Sequence, residues 1–402
     1  MKGIVVIGAG FAGLWAAVGA ARKLDELGIG ADEASVTMIN RDRWHGIRVR
    51  NYEPDLSDIR VSLDDVLGPV GIPLMVGDVG GIDVRNRTVN VTTDDGAAES
   101  VAYDRLILAA GSRLNRPAIP GLVEHAFDID TFDAAYRFDH HVRALGTGDA
   151  TIVIVGGGLT GVELACEMPQ RLRDAGVRAG RVILLDRQPH IGSNMGDQAV
   201  PVIGEALEAL GVETRTGVAI ERIAADGIVL GGGERIAAGT VVWTAGMRAS
   251  PLAEMIPVER DGAGRLPVDA YLRVEGAPGV LAAGDIAAAP LGADHVSVMS
   301  CQHARPMGRL AGHNAVSDML GRDDLLALDI GHYVTCLDLG PWGGLYTEGW
   351  DRRVASKGPE VKTVKQTINR DRIYPPRSGD RREILDAAAP IIQTPPPVRS
   401  SE

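Results

Sequence analysis

The sequence predicts an α/β protein with two Rossmann-like dinucleotide-binding domains and a smaller α+β C-terminal region. Three observations predict it. The glycine-spaced turn GAGFAG lies between an apolar run and a helical pattern near the N-terminus; the same arrangement returns as GGGLTG from Gly156; and the chain changes character after Gly321.

Residues 3–7 read as a buried parallel strand, 14–27 as the helix after the first turn, and 36–39 as the next strand. The order repeats with 151–155 as strand, 162–175 as helix and 181–185 as strand. Between the units, GDVGGIDVRNRTVNVTTDDG alternates Val and Thr with polar residues and reads as a meander, and YDRLILAAGS returns to a buried strand. A parallel passage, ETRTGVAIERIAADGIVLGGGERIAAGTVVWTAG, follows the second unit. Pro117, Pro120 and Gly121 mark a crossing between domains, and residues 247–251 mark the crossing back. The expected division is therefore a discontinuous first domain (1–118 and 247–321), a second domain (119–246) and a C-terminal region (322–402). In that region HYVTCLDLG and GGLYTEGW resemble antiparallel strands, basic residues outnumber acidic ones from Arg352 to Arg382, and PIIQTPPPVRSSE has the composition of a disordered tail.

Composition narrows the function classes. A net charge of −12 over 402 residues argues against nucleic acid, which is bound through clustered Lys and Arg. Cys166, Cys301 and Cys336 lie too far apart for a close redox pair or a metal knuckle, so no metal is expected and a reducing compartment is. The N-terminal apolar run carries fingerprint glycines and no processing boundary, so it reads as strand and helix rather than a signal peptide. No stretch is long and apolar enough to span a membrane.

The chemistry lies in the turns. Gly8, Gly10 and Gly13 form G-x-G-x-x-G between strand and helix, which lets backbone amides approach a pyrophosphate at a helix N-terminus. The strand that follows ends in Asn40, which can bond a ribose hydroxyl without the usual negative charge. Gly156, Gly158 and Gly161 repeat the pattern, and their following strand ends in Asp186, an acid suited to the ribose hydroxyls of NADH and repulsive to a 2′-phosphate. Arg187 beside it softens that preference. Gly284 and Asp285 follow a short apolar strand, where the carboxylate either holds a sugar hydroxyl or caps a helix.

The two fingerprints, LILAAGS, VVWTAG and LAAGD occur in the order found in two-dinucleotide-binding flavoproteins related to disulfide reductases, and residues 2–314 resemble that family. The resemblance implies FAD in the first domain, NADH in the second, and Asp285 near the flavin's ribityl or phosphate portion. Ala110 and Gly111 of LILAAGS and Gly246 of VVWTAG would border the cofactors. Within the family, GGGLTGVELA, VVWTAG and SCQHA look most like type II NADH dehydrogenases, which pass electrons from NADH through FAD to a quinone. By that resemblance Glu163 lies near nicotinamide and flavin, while Gln302 and Ala304 line the acceptor side. The chain departs from the pattern at Cys301 and Pro306, and WHGIRVRNYEPDL lacks the cysteine pair of the disulfide reductases.

Plainer readings stand beside these. Glu163 serves equally as a helix N-terminal charge, and Gln302 and His303 as helix-start residues. Trp44 and His45 read as packing, and Cys336 as a small core residue. Ile384, Leu385, Ala388 and Ile391 form an apolar stripe flanked by Arg381 and Arg382, which reads as a packing helix ahead of a contact with an anionic bilayer. The expected partners are NADH and a quinone or small electron acceptor, in a cytoplasmic homodimer with peripheral contact at the inner face of the cell membrane. Two competing functions are a soluble NADH oxidase or electron-transfer reductase with a non-quinone acceptor, and a flavoprotein binding module that responds to NADH.

Overall fold

Apolar residues on both faces of a strand favour a parallel sheet covered by helices, and KGIVVI has that character. In the computed structural model, which describes residues 1–398, Lys2–Ile7 pairs in parallel with Ala34–Asn40 on one side and Arg105–Leu108 on the other. The sheet runs Val280–Ala282, Arg105–Leu108, Lys2–Ile7, Ala34–Asn40, Leu74–Asp83, Thr88–Thr93, Ala98–Ala102. The meander passage forms Leu74–Asp83 and Thr88–Thr93, and Ala98–Ala102 adds a third antiparallel strand at the edge of the sheet. A second, parallel sheet runs Ala126–Phe127, Thr240–Trp243, Asp149–Val155, Ala179–Leu185, Glu213–Arg215. Val280–Ala282 thus returns to the first sheet after the chain has built the second.

Both fingerprint helices begin inside their glycine turns, at Phe11 and Leu159, three residues earlier than the apolar periodicity indicates. The third glycine of each motif sits in the first helical turn, against the strand end. A Cβ at Gly13 would lie 1.6 Å from the Gly8 carbonyl oxygen, and one at Gly161 would lie 1.7 Å from that of Gly156.

The helix Cys301–Leu320 crosses Phe11–Glu26 at backbone contact, a junction the sequence reading does not anticipate. A Cβ at Gly308 would lie 2.1 Å from Ala12 O, and one at Gly312 would lie 2.2 Å from Ala16 O. We expect Gly312→Ala to lower unfolding free energy by at least about 1–3 kcal/mol, the usual range for overpacking. Gly204→Ala, on the exposed face of the helix Ala199–Ala209 with nothing within 4 Å of the new methyl, should instead be neutral or stabilising by up to about 1 kcal/mol. Urea denaturation of both variants measures the contrast.

The C-terminal strands Val334–Asp338, Gly344–Glu348 and Arg353–Gly358 form an antiparallel sheet followed by the helix Pro359–Thr367. This layer is not separate: it clamps the second fingerprint helix. A Cβ at Gly340 would lie 2.3 Å from Cys166 O, and Lys362 Nζ reaches Glu167 Oε1 at 2.9 Å. The short helix Arg381–Ala387 buries Ile384 and Leu385 and pairs Arg381 with Asp25. Its apolar stripe therefore faces the body, as the packing alternative requires, and Ile391 alone of the four stays out, 59 % exposed. Residues 391–398 of the tail read as disordered have no regular structure, yet they lie along the body, with Arg372 Nη2 donating to Thr394 O at 2.8 Å. Residues 399–402 lie outside the described residues. Among the described residues no helix is long and apolar enough to cross a membrane.

Candidate functional site

At the first turn Gly8, Gly10, Asn40, Ala110, Gly111, Gly284 and Asp285 border one cavity. Gly10 has φ −70° and ψ −167°, which any residue adopts, and a Cβ there would meet nothing within 4 Å. Neither backbone strain nor packing demands a glycine at this position. A ligand laid on bare backbone does, so the cradle at the N-terminus of Phe11–Glu26 fits a pyrophosphate. Asn40 Oδ1 accepts from Ala9 N at 2.9 Å and Nδ2 donates to Asp42 O at 2.9 Å. Its amide braces the turn from the cavity edge.

At the far side, Ser112 Oγ donates to Asp285 Oδ2 at 2.5 Å and accepts from Arg48 Nη1 at 3.0 Å, and Arg48 also pairs with Asp130. Burial raises the Asp285 carboxyl pKa, and the Ser112 hydrogen bond and the Arg48 charge offset part of that rise. Asp285 is thus an anchored acceptor, not a free helix cap. Ser300 caps Cys301–Leu320 by accepting from His303 N, so the positive end of that helix opens on the same cavity beside Cys301 and Ala304.

The second turn repeats the construction. Gly158 has φ −80° and ψ −174° with nothing within 4 Å of a would-be Cβ. Asp186 Oδ2 accepts from Gly157 N at 2.5 Å, the counterpart of the bond between Asn40 and Ala9. Gly156, Asp186, Arg187, Trp243 and Gly246 border this cavity. Asp186→Ser removes the charge opposed to a 2′-phosphate. We expect it to raise the ratio of kcat/KM for NADPH over NADH by about tenfold or more, in steady-state assays with both nucleotides.

A third cavity of ≈ 310 Å³ lies beyond the first. Trp243 and Thr244 border both the second-turn and first-turn cavities, while Thr160, Met299, Ser300 and Cys301 border both the first-turn and third. The three spaces follow one another in series. Gln302 lines the third, and Pro306 at the next helical turn has no amide to offer the Gln302 carbonyl. Ala304, expected on the acceptor side, lines the first-turn cavity, where it packs against the Gly284 turn: a Cβ at Gly284 would lie 3.5 Å from Ala304 Cβ.

Glu163 lines the third cavity and not the second-turn one, since it sits one turn past Thr160. Its Oε1 lies 2.8 Å from Lys365 Nζ and accepts from Asp338 N at 3.2 Å. Burial raises the Glu163 carboxyl pKa against the pull of Lys365, and Glu163 in turn raises that of Lys365 despite burial. Sequence reasoning missed Lys365, Arg48, Ser112, Arg305 and Arg309. Only the two cations within the apolar pattern RPMGRLAG gave a legible signal.

His303 is held away from these cavities: its Nδ1 accepts from Val298 N at 2.9 Å, the helix-start alternative. His45 is fully buried with Nδ1 2.8 Å from Ala9 O. Trp44 lies on the surface with Arg60 4.7 Å from its ring, and burial pushes the Cys336 thiol up to about 12, so it stays protonated. Burial lowers both histidines from 6.5 to about 4. The unfolded chain therefore binds more protons between those values, and stability is lost as pH falls through that window. Each histidine contributes a slope of up to about 1.4 kcal/mol per pH unit. Urea denaturation at pH values across the window should show the loss, and a flat profile would contradict neutral buried imidazoles.

Comparison with known proteins agrees with this geometry. Residues 2–308 match the family model described as pyridine nucleotide-disulphide oxidoreductase. An "NADH dehydrogenase-like protein" of Mycobacterium tuberculosis is 53% identical over 98% of this chain and 100% of its own length. A "Type II NADH:quinone oxidoreductase" of Staphylococcus haemolyticus is 26% identical over 76% of this chain and 80% of its own. The sulfide:quinone oxidoreductase of Aquifex aeolicus shares the fold, with a TM-score of 0.76 at 18% identity, covering 95% of this chain and 92% of that one. The chain belongs to the pyridine nucleotide-disulphide oxidoreductase family.

Proposed function

We propose that this chain is an FAD-dependent NADH dehydrogenase that delivers two electrons to a quinone. The observation that carries the reading is the series of three cavities, in which the first-turn space touches a nucleotide cradle on one side and a largely apolar space on the other. The names of the relatives above support the same donor and acceptor. Gly10, Gly111, Asn40 and Asp285 would hold FAD, which would supply a carrier able to take a hydride and pass on its electrons.

This chain's residues position and exclude. Gly158, Asp186 and Gly246 hold NADH, with Trp243 and Thr244 at the junction of the two spaces. Arg48 and Ser112 fix Asp285 to accept a hydrogen bond from a ribityl hydroxyl. The overall balance is NADH + H⁺ + quinone → NAD⁺ + quinol, so one proton beyond the hydride must reach the acceptor. The Glu163 carboxylate and Lys365 ammonium, in contact at the wall of the acceptor space, hold that proton, and Gln302 donates a hydrogen bond to the acceptor oxygen. A cytoplasmic homodimer with peripheral membrane contact is part of this proposal, although the apolar stripe near the C-terminus is buried and does not supply the contact.

Steady-state NADH oxidation with a short-chain quinone, compared with oxygen alone, tests the reading. Quinone-dependent turnover at about tenfold or more above the oxygen rate is expected. Equal rates would favour the soluble oxidase. Slow turnover accompanied by a change in oligomeric state would favour the binding module.

A further inference from the structure

The acceptor space carries charge that a neutral quinone does not call for. Arg305 and Arg309 lie one helical turn apart on Cys301–Leu320 and both line it. They are 8% and 2% exposed, and both Nε atoms are buried without a hydrogen-bond partner. Cys301 lies beside Arg305, but burial raises its thiol pKa and keeps it protonated, so it brings no negative charge at neutral pH, and among the described residues the charges that act on the pair are cations: Arg305 on Arg309, and Arg372 on Arg305. The Trp15 ring lies 5.5 Å from the Arg305 guanidinium and 4.4 Å from that of Arg309, and it offers a π face without using a single N–H donor. Burial lowers both pKa values to about 10 and about 9, which leaves both groups cationic at neutral pH.

Burying a cation without a counter-charge is costly, and breaking such a pair costs more than forming it gains. Two guanidiniums side by side at the wall of a cavity are therefore matched to an anion that comes with the ligand. Planar guanidinium groups bind carboxylate oxygens in a forked geometry. The remaining wall, with Met299, Pro306, Ile330 and Ile373, suits a flat apolar ring.

We propose that the acceptor is an acidic quinone, a ring compound bearing a carboxylate that Arg305 and Arg309 bind. The inference rests on the third cavity being the acceptor site of the proposed dehydrogenase. The carboxylate is a handle and is not consumed: the ring takes two electrons and two protons, the side chain stays ionised, and NADH is the reductant. The charge on the pair then selects among quinones that share a ring and a potential.

A naphthoquinone bearing a propionate side chain and its methyl ester differ in charge while sharing a ring. The wild-type KM for the acid should be about tenfold or more below that for the ester, as expected for a charge-assisted hydrogen bond. Arg309→Met and Arg305→Met should each bring the ratio to within about twofold of unity, and Arg309→Lys should keep part of it. Binding of both probes, followed by quenching of tryptophan fluorescence, gives the same comparison without turnover. Equal wild-type binding of acid and ester overturns the inference, as does a preference that survives both methionine variants. If the methionine variants do not fold, the wild-type ratio decides. If the acid binds more tightly and neither probe is reduced, the charge selection holds and the dehydrogenase reading fails; if both are reduced with equal KM, the reverse is true.

Discussion

Gly10→Val should give a folded protein that has lost its flavin. The position has an ordinary extended backbone and no atom within 4 Å of a new Cβ, so the side chain disturbs nothing within the chain. It projects into the space where a pyrophosphate would lie against the amides. A loss of about a hundredfold in flavin affinity, ~2.8 kcal/mol, is the minimum expected from that clash. The mirror experiment separates the two sites. Gly158→Val should keep its flavin and raise the KM for NADH by about a hundredfold. Gly13→Val and Gly161→Val should fail differently, since a Cβ at either position strikes the chain's own carbonyl, and soluble protein should be lost. Absorbance after gel filtration reads flavin content, and circular dichroism reads folding. A Gly10→Val protein that retains stoichiometric flavin would show that the first turn is not the cradle.

Lys365→Met should be among the most destabilising single substitutions in the protein. It strands Glu163, 6% exposed, without its cation, and breaking a buried pair from one side costs about 3–5 kcal/mol. The sign with pH follows from burial. The Glu163 pKa is already raised above its ordinary 4.5 in the folded chain, and without Lys365 it rises further. The folded variant then binds more protons than the unfolded chain above that ordinary value, so the variant loses stability as pH rises through the interval and suffers least in acid. The double variant Glu163→Gln with Lys365→Met should recover part of the loss. Urea denaturation across pH measures all three, and a pH-independent loss would contradict a carboxylate stranded in the cavity wall.

Much of the fold was readable because it rests on local pattern. The runs at 3–7 and 151–155 are apolar on both faces, and each is followed by a turn whose first glycine, Gly8 or Gly156, takes a positive φ that favours glycine. Helix starts were misplaced by three residues because the turn glycines and the first helical residues overlap, which periodicity alone does not reveal. The close crossing at Gly308 and Gly312 was hidden because it depends on where Ala12 and Ala16 fall in space. Site residues divided in the same way. Gly8, Gly10, Asn40, Asp186 and Asp285 follow from motif position, and the structure brings the first-site members to one cavity. Lys365, far along the chain from Glu163, has no sequence signal that pairs them, and the Trp15 ring under Arg305 and Arg309 belongs to another helix. The sequence places Glu163 beside a nucleotide turn, and the structure sets it at the wall of the third cavity, where the C-terminal layer supplies Lys365.

Electrons are expected to cross the three adjoining spaces in a fixed order. Anaerobic double-mixing stopped-flow tests it most directly. The flavin-loaded protein is mixed first with NADH and then with a quinone, while the flavin's visible absorbance is followed. The absorbance should bleach on the first mix and return on the second, and Gly158→Val should block the first step while leaving reoxidation of chemically reduced protein intact. A protein whose flavin NADH does not bleach, or whose bleached flavin quinones do not restore faster than oxygen, would contradict it.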